Sequence, residues 1–598
     1  MIKDTRPRIR GLFILSVIVM SVFAARLVQV QGVQSEQYAE RAAKELRSSA
    51  TLPAIRGEIV DVHGVVLARS VNAINITVDQ TLVNDPEVAA EAIAPILGLT
   101  ITEVALKLTG GKRFAYVMKD VTPQTWASVK AALASLNDKL PLDKRIAGFY
   151  GENTFRREYP AGPLAASVLG FVNDSGHGGG GIEYAFDQIL AGVDGTYIYD
   201  SGGGAAIPSA TDVLVAAKPG RTIRLTIDRD IEWVAQKEID AQVKASRALS
   251  GTAIVMDPKT GSILAIASSP GYDPNDVSKT PISLLGIPAI DQVYEPGSTG
   301  KVMTLSAALE EKVVTPISVF NVPYKLKRGD RTFHDDEKHP IWQLTTAGVL
   351  AKSSNVGAIQ IAEKMPSETL RNYLSKFGIG QKTGVKLPGE TAGLFPELRN
   401  WSQSTARTVS FGQGYSLTSL QATSVFATVA NDGIRVTPTL IAGMSDTDRH
   451  YTALSRKPGI RVISADTART MRLMMEGVVS AGGTAPEAQI SGYRVAGKTG
   501  TANRVDSACS CYRGYTASFI GFAPADKPAL VMSVTIQDPK GVHFGGLLGA
   551  PIFSKVISFS LKSMSIPPTG KAPNPIPLDA AHLAPVVVAQ KTTTGLKP

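Results

Sequence analysis

Cysteine is nearly absent from the 598-residue chain, which excludes a disulfide scaffold. The two cysteines, Cys509 and Cys511, are also too few and too close together to hold a tetrahedral zinc ion. We interpret them as surface thiols, free or bridged, rather than as metal ligands. The seven histidines are scattered and form no HExxH pair, so a metalloenzyme is disfavoured.

Concentrated charge is lacking as well. Charged residues make up 19% of the chain, and the net charge of +10 is spread over its whole length without a basic arm. Nucleic acid binding is therefore disfavoured. Apolar residues make up 44%, which is typical of globular proteins, and the length suffices for roughly three to five domains.

Long apolar runs are missing except for one, from Gly11 to Ala25, which continues to Val30 after Arg26. As a helix it would extend roughly 30 Å, enough to cross a bilayer. Basic residues precede it, so the N-terminus is expected in the cytoplasm. A cleaved signal peptide is the alternative, since Val22-Phe23-Ala24 resembles a cleavage site, but we favour an uncleaved anchor. No second long run follows, which predicts that nearly all of the chain lies outside the cytoplasm.

The remaining pattern predicts two folded regions and a tail. Residues 32–50 are expected to be helical, residues 51–220 alternate short strands and helices, and Pro219-Gly220 marks a boundary. Beyond it we expect a helix near Arg229–Lys244 and a final helix near Ile552–Met564. Strands are expected at Arg221–Ile227, Gly251–Met256, Ser262–Ser268, Tyr493–Ala496, Tyr515–Phe522 and Ala529–Gln537. Strands at both ends predict an antiparallel sheet covered by helices, and the Pro-rich end after Ser565 predicts disorder.

Three short motifs carry the candidate chemistry. Ser298 and Lys301, in Glu295-Pro296-Gly297-Ser298-Thr299-Gly300-Lys301, form the only Ser-x-x-Lys in the chain and should lie one helical turn apart. A lysine whose pKa is lowered by burial can activate a serine hydroxyl. Helix capping by Ser298 is the structural alternative. Ser353-Ser354-Asn355 is the only Ser-x-Asn downstream. The motif Lys-Thr-Gly begins at Lys259, Lys382 and Lys498. Only the copy at Lys498, which continues with Thr499, Gly500 and Thr501, lies among the strands predicted near the C-terminal end of the second folded region.

Ser-x-x-Lys, Ser-x-Asn and Lys-Thr-Gly in this order are typical of penicilloyl serine transferases. The chain resembles a class B penicillin-binding protein, a bacterial peptidoglycan D,D-transpeptidase, over about residues 1–565. Three further stretches are similar to the motifs of the family's pedestal domain: Arg56-Gly57-Glu58-Ile59-Val60-Asp61, Arg157-Glu158-Tyr159-Pro160 and Gly178-x-x-Gly181-Ile182-Glu183. The resemblance implies that Arg56, Gly57, Asp61, Arg157 and Glu183 form a structural interface.

Three positions of the sequence differ from the residues that are usual in the family. Val62 stands where an arginine is usual, which puts one pedestal contact in doubt. Gly300 stands where a bulky residue is common, and Glu232 replaces a usual glutamine. None of these departures removes a catalytic group.

The resemblance implies an α+β multidomain fold. It divides the chain into a cytoplasmic tail (1–10), a transmembrane anchor (11–31), an elongated pedestal domain of the dimerisation type (32–220), a transpeptidase domain (221–565) and a disordered tail (566–598). It implies that Ser298 is the nucleophile, Lys301 the base, and Ser353, Asn355 and Lys498 a proton relay. Thr499, Gly500 and Thr501 would bind the substrate carboxylate or a β-lactam, without a metal or organic cofactor.

The resemblance also implies partners and a location. The expected ligands are stem pentapeptides and β-lactams. The expected partners are a polytopic glycosyltransferase of the SEDS family and membrane proteins of the divisome, at the septum of a bacterial cell membrane. An elongation-type enzyme and a non-catalytic β-lactam sensor remain alternatives. A bifunctional enzyme is disfavoured because residues 32–220 lack a glycosyltransferase motif. A β-lactamase is disfavoured because β-lactamases have no pedestal domain, whereas this chain carries the pedestal motifs.

Overall fold

A computed structural model describes residues 6–202, 205–207, 213–446, 450–506, 509–570 and 575–583. The helices in these ranges are α1 Arg6–Val28, α2 Ser35–Leu46, α3 Pro86–Leu97, α4 Ile101–Leu108, α5 Pro123–Asn137, α6 Ala166–Leu169, α7 Gly181–Ala185, α8 Asp187–Leu190, α9 Arg229–Ser246, α10 Pro288–Asp291, α11 Lys301–Glu310, α12 Thr346–Ala351, α13 Asn355–Ala362, α14 Ser367–Lys376, α15 Gln403–Val409, α16 Ser419–Ala430, α17 Ala465–Val479, α18 Gly545–Leu548 and α19 Ala550–Ser563.

The strands in the same ranges are β1 Arg47–Leu52, β2 Ile59–Val60, β3 Val66–Val78, β4 Ala115–Val121, β5 Phe149–Glu158, β6 Gly195–Gly202, β7 Ala205–Ile207, β8 Val213–Val215, β9 Ile223–Leu225, β10 Ser250–Met256, β11 Ile263–Ser269, β12 Val293–Tyr294, β13 Val319–Val322, β14 Lys325–Arg328, β15 Arg331–His334, β16 Trp342–Thr345, β17 Leu417–Thr418, β18 Ile434–Arg435, β19 Ile441–Ser445, β20 Tyr451–Ala453, β21 Ile460–Arg461, β22 Ala496–Asp506, β23 Cys511–Ala523 and β24 Leu530–Gln537.

The N-terminal apolar run forms α1, which a short π-helical turn extends to Val33. In the described part of the chain, this is the one helix long and apolar enough to cross a membrane, and none of its most apolar stretch is buried. The predicted anchor is therefore a continuous helix with an apolar surface. Residues 1–5 of the predicted cytoplasmic tail lie outside the described residues.

The chain divides into two compact units, of which the first comprises Met1–Arg56, Asn72–Phe155 and Ala191–Gly220. In it, the end of β3 pairs with β4, and helices α3, α4 and α5 enclose an apolar core. A separate antiparallel sheet joins β1 to β6, which also pairs with β7 and β8. Residues 47–50, predicted as helix, instead form the start of β1, because pairing with the distant β6 outweighs a local helical preference.

The second unit comprises Gly57–Val71, Arg156–Leu190 and Arg221–Pro598. Its centre is a five-stranded antiparallel sheet in the order β11-β10-β24-β23-β22. Side chains alternate between the two faces of such a sheet. Thr252 and Ser533 point from one face to hydrogen bonds with α16, and Phe519 points from the other face to Phe553 of α19. The predicted antiparallel sheet covered by helices is confirmed, with β22 at one edge.

The C-terminal region differs from the predicted disordered tail. Residues 566–570 follow α19, and the Ile566 carbonyl accepts a hydrogen bond from the Tyr493 hydroxyl. Farther along, the Leu578 carbonyl accepts the Thr345 N–H at 3.0 Å, and the Pro577 carbonyl accepts the Thr345 hydroxyl at 2.7 Å. Residues 575–583 therefore pack against the second unit, whereas residues 571–574 and 584–598 lie outside the described residues.

Candidate active site

Ser298 lies in a tight 3₁₀ turn, Gly297–Gly300, which leads directly into α11. The serine is 8% exposed, and its side chain caps no helix. The turn packs closely on β22. A Cβ on Gly500 would lie 2.9 Å from the Pro296 carbonyl oxygen and 2.4 Å from Ser518 Oγ, so glycine is required there. The helix start predicted at Ser298 is therefore present. The Ser298 hydroxyl does not cap the helix, so the structural alternative does not apply.

Lys301 is completely buried one turn after Ser298. Its Nζ lies 2.8 Å from Ser298 Oγ and 2.7 Å from Asn355 Oδ1, and it also contacts the Ser353 carbonyl at 2.5 Å. The Asn355 amide donates to the His334 carbonyl, which turns its oxygen towards the lysine. Burial lowers the pKa of Lys301 to about 8, although nearby carboxylates oppose the shift. The lysine can therefore exchange a proton near neutral pH.

Ser353 joins α12 to α13 with a φ of 60°. This left-handed conformation is uncommon for a residue with a side chain and often marks a functional constraint. It allows the carbonyl of Ser353 to face Lys301, while the hydroxyl accepts a hydrogen bond from Lys498 Nζ at 2.8 Å. The serine thus bridges two buried lysines.

Lys498 is the second buried lysine of the site and belongs to the edge strand β22. Its Nζ also donates to the Thr499 carbonyl and hydroxyl, at 3.0 and 3.2 Å. Burial, reinforced by repulsion from Lys301, lowers the pKa of Lys498 well below its usual value. An arriving anion would relieve this unfavourable burial of positive charge.

The Lys-Thr-Gly-Thr motif lies inside β22, which begins at Ala496. The strand predicted at Tyr493–Ala496 is therefore wrong except for its last residue, because Tyr493 forms a local bridge with Ile490 instead. In the described part of the chain, β22 has a strand partner on one side only. Such an edge can accept an extended peptide as a further strand.

The other copies of these motifs lie elsewhere. Lys259-Thr260-Gly261 forms the predicted turn between β10 and β11, closed by Asp257. Lys382-Thr383-Gly384 is a loop whose Thr383 and Gly384 N–H groups point to the Glu390 carboxylate. These local hydrogen bonds explain both motifs as turns.

Four of the pedestal-motif residues lie in the second unit and form two groups, whereas Arg56 is the last residue of the first segment of the first unit. Arg157 Nε lies 2.7 Å from Glu183 Oε1 in a buried ion pair, and Arg157 also donates to the Gly57 carbonyl. Asp61 lies apart from this pair and accepts the backbone N–H groups of Val65 and Arg229. Arg56 is buried as well.

Two acidic groups near the nucleophile were not singled out from the sequence. Glu295, three residues before Ser298, is 8% exposed and accepts the Gly414 N–H and the Tyr512 hydroxyl. Burial raises the pKa of Glu295. Asp335, after β15, is buried beside the Ser353-Ser354-Asn355 turn. Its Asp-Asp sequence is an ordinary loop pattern, so only the fold identifies it.

Cys509 and Cys511 are joined by a disulfide in the hairpin between β22 and β23. The sequence left open whether the two cysteines are free or bridged, and in the structure they are bridged. The next residue, Tyr512, is the hydroxyl donor to Glu295, so this hairpin reaches the segment before the nucleophile.

Two family models match the chain. The family model described as the penicillin-binding protein transpeptidase domain matches residues 251–558. The model described as the penicillin-binding protein dimerisation domain matches residues 51–225. Together these matches leave only the termini and a short connection unassigned.

Relatives match over most of their length. Penicillin-binding protein PbpB of Mycolicibacterium smegmatis is 34% identical, over 96% of this chain and 93% of its own. Peptidoglycan D,D-transpeptidase FtsI of Escherichia coli is 34% identical, over 86% of this chain and 84% of its own. A crystal structure of penicillin-binding protein 3 from Mycobacterium tuberculosis, complexed with ampicillin, superposes with a TM-score of 0.69 at 31% identity, covering 89% of this chain and all of that one. The chain therefore belongs to the penicillin-binding protein transpeptidase family and is a membrane-anchored, single-pass peptidoglycan D,D-transpeptidase.

Proposed function

We propose that Ser298 is the nucleophile and Lys301 its general base, in a reaction that cross-links peptidoglycan stem peptides. The observation that carries this proposal is the set of contacts at Lys301 Nζ. A neutral amine has two N–H groups and one lone pair. The Ser353 carbonyl and Asn355 Oδ1 can only accept, so they take the two N–H groups and leave the lone pair facing Ser298 Oγ.

The first half-reaction forms an acyl-enzyme. Ser298 Oγ bonds to the carbonyl carbon between the two terminal D-alanines of a stem pentapeptide, while its proton passes to Lys301. The C–N bond then breaks, and the departing D-alanine amine receives a proton through Ser353, which lies between both lysines. In the proposed complex, the backbone N–H groups of Ser298 and Thr501 stabilise the developing oxyanion.

The substrate carboxylate is proposed to bind beside Lys498. Thr499 and Thr501 supply hydroxyl groups along the same edge strand, and Gly500 leaves room for the substrate backbone. The carboxylate would place a negative charge next to a lysine whose ammonium form is disfavoured by burial. Binding of the anion and charging of Lys498 should therefore favour each other.

The second half-reaction transfers the acyl group. The amine of a neighbouring stem attacks the ester carbonyl, the new C–N bond forms, and Ser298 Oγ leaves with a proton. A β-lactam would enter the first half-reaction in the same way, but its leaving amine stays attached to the acyl group. Its acyl-enzyme should therefore persist.

We further propose that the cross-linking takes place at the division septum. The similarity to FtsI of Escherichia coli supports this role over lateral-wall elongation. The bulk of the chain would lie outside the cytoplasm, with α1 available to a SEDS-family glycosyltransferase and to membrane proteins of the divisome. Septal rather than lateral-wall localisation of a fluorescent fusion is the expected observation.

Intact-protein mass spectrometry after penicillin treatment tests the catalytic proposal. The detergent-purified full chain should carry one stable penicilloyl adduct, located on the peptide that contains Ser298, and Ser298→Ala should abolish it. An adduct on Ser353 would identify that serine, rather than Ser298, as the nucleophile. Rapid turnover of penicillin would instead identify a β-lactamase.

A further inference from the structure

A buried aspartate organises the turn that presents Ser353 and Asn355 to the catalytic lysine. Asp335 Oδ1 accepts the backbone N–H groups of Asn355 and Val356, at 2.6 and 2.9 Å. Its Oδ2 accepts the Ser354 hydroxyl at 2.7 Å. Asp335 therefore anchors three consecutive residues at the start of α13, immediately after the left-handed Ser353.

Asp335 is in turn held by a buried histidine. Only 3% of the His339 side chain is exposed, and its Nε2 lies 3.0 Å from Asp335 Oδ2. Its Nδ1 lies 2.6 Å from the Pro340 carbonyl oxygen. Neither oxygen can donate a hydrogen, so both contacts are hydrogen bonds only when both ring nitrogens carry a proton. A neutral imidazole would supply a hydrogen for only one of these two contacts.

The surroundings of His339 suit a cation. Its ring stacks on the indole of Trp342, with centroids 3.6 Å apart and planes 10° apart, and an aromatic face attracts positive charge. Two further titratable groups of the described residues lie close to this pair: Tyr324, whose ring centroid is 6.0 Å from that of His339, and His334, whose Nδ1 contacts the Asp335 carbonyl. Asp335 is thus the carboxylate that pairs with His339.

We propose that Asp335 and His339 are positioning residues of the transpeptidase, a buried ion pair that fixes both acceptors of Lys301 and adjusts the charge around it. The inference rests on the proposed role of Lys301 as base. Asp335 acts on Lys301 through the Ser353 carbonyl and Asn355 Oδ1, because it holds the backbone on which both are carried.

The electrostatic part of the proposal has a definite sign. The carboxylates of Asp336 and Asp335 both raise the pKa of Lys301, against the larger lowering by burial. Loss of the Asp335 charge should therefore lower that pKa. Loss of a positive charge at His339 should raise it, since the Asp335 carboxylate would then be uncompensated. Lys498 also lies beside Lys301, and burial together with repulsion from Lys301 lowers its pKa.

The test is the rate of acylation by a fluorescent penicillin, measured from pH 5.5 to 9.5 on the detergent-purified full chain. Asp335→Asn keeps an oxygen for the two N–H groups of α13. We expect its plateau rate to fall at least roughly 10-fold, since small misplacements of reacting groups can cost about 10²-fold. The acid limb of its profile should also move to lower pH. The acid limb of the rate profile of His339→Gln should instead move to higher pH.

A matched control exists elsewhere in the second unit. Asp228 caps α9 by accepting the Asp230 and Ile231 N–H groups, and His63 Nε2 lies 3.0 Å from its carboxylate. Asp228→Asn and His63→Gln should leave the pH profile unchanged.

The proposal is overturned if Asp335→Asn keeps the wild-type plateau and profile, or if His339→Gln shifts the limb to lower pH or not at all. These results would leave the Ser298 adduct intact, so they are distinct from failure of the proposed function. Should Asp335→Asn not fold, as judged by circular dichroism, His339→Gln decides the outcome through the direction of its shift.

Discussion

At the scale of single residues, the site depends on burying two lysines close together. Neither Lys301 nor Lys498 has any exposed surface, and the charge of Lys301 repels that of Lys498. Water would normally stabilise both ammonium groups, so their removal from water lowers the pKa of each. The structure thus obtains a base for neutral pH from a side chain that is ordinarily protonated there.

Replacement of this base should abolish most of the activity. Lys301→Arg keeps the charge but cannot lose a proton at working pH. We expect acylation to fall at least roughly 10²-fold, the scale of general-base catalysis. In the wild type, the rate should rise with pH up to about 8, as the amine becomes neutral. Stopped-flow measurement with a fluorescent penicillin checks both.

The control is Lys382→Arg, in a Lys-Thr-Gly motif that the structure places in an exposed loop. This variant should acylate like the wild type. An unchanged rate in Lys301→Arg would mean that another group deprotonates Ser298.

At the scale of elements, α9 is fixed to β11 by a buried carboxyl group. Glu232 is fully buried, and its Oε2 accepts the Ile266 N–H at 2.6 Å, while Oε1 has no hydrogen-bond partner within the described ranges. Burial raises the pKa of Glu232 from 4.5 to about 7. Because the unfolded chain ionises at the lower pH, stability falls as pH rises from about 4.5 through 7.

Glu232→Gln should therefore stabilise the protein mainly at alkaline pH. A shift of this size corresponds to about 3 kcal/mol above pH 7, so we expect a gain of about 1–3 kcal/mol at pH 8 and little change at pH 5. Calorimetric Tm values at both pH values measure it. Asp240→Asn, on the exposed side of the same helix, is the control. An equal gain at both pH values would exclude ionisation of Glu232 as the cause.

The elements also show what the sequence could predict. The spacing of Ser298 and Lys301 fixed their mutual distance through helix geometry, and turn residues placed the hairpin of β10 and β11 correctly. Local patterns contain no information about pairing with distant segments. For that reason they missed β1 at residues 47–50 and the contacts of Asp335 with α13. Only the family resemblance predicted that Ser353 and Lys498 lie close to Ser298 in the folded protein.

At the scale of the whole molecule, residues 575–583 pack against the unit that carries the candidate active site. Thr345 Oγ1 accepts the Gly348 N–H at the start of α12 and donates to the Pro577 carbonyl. A Cβ on Gly348 would lie 1.8 Å from the Leu578 carbonyl oxygen, so the segment packs closely. Composition predicted disorder here because proline-rich segments usually bury too little apolar surface to fold, yet Ile576 and Leu578 pack against the core and two carbonyls of this segment accept hydrogen bonds from Thr345.

Truncation should show what this segment contributes. Ending the chain after Gly570 removes two hydrogen bonds and the packing of Leu578, together worth about 2–4 kcal/mol. We expect a Tm lower by several degrees and slower acylation, since α12 leads directly to Ser353. A chain that ends after Leu583 keeps these contacts and should have a higher Tm than the chain that ends after Gly570. Equal Tm values for the two truncations would contradict a stabilising role.

The separation of these contacts along the chain has a consequence for biogenesis. Pro577 leaves the ribosome 232 residues after Thr345, so the start of α12 lacks these partners until long after it has itself been synthesised. The nascent chain can form its first unit long before the turn that carries Ser353 is supported. Acylation of nascent chains by penicillin should therefore stay slow until residues 577–579 have emerged, as it should in the chain that ends after Gly570.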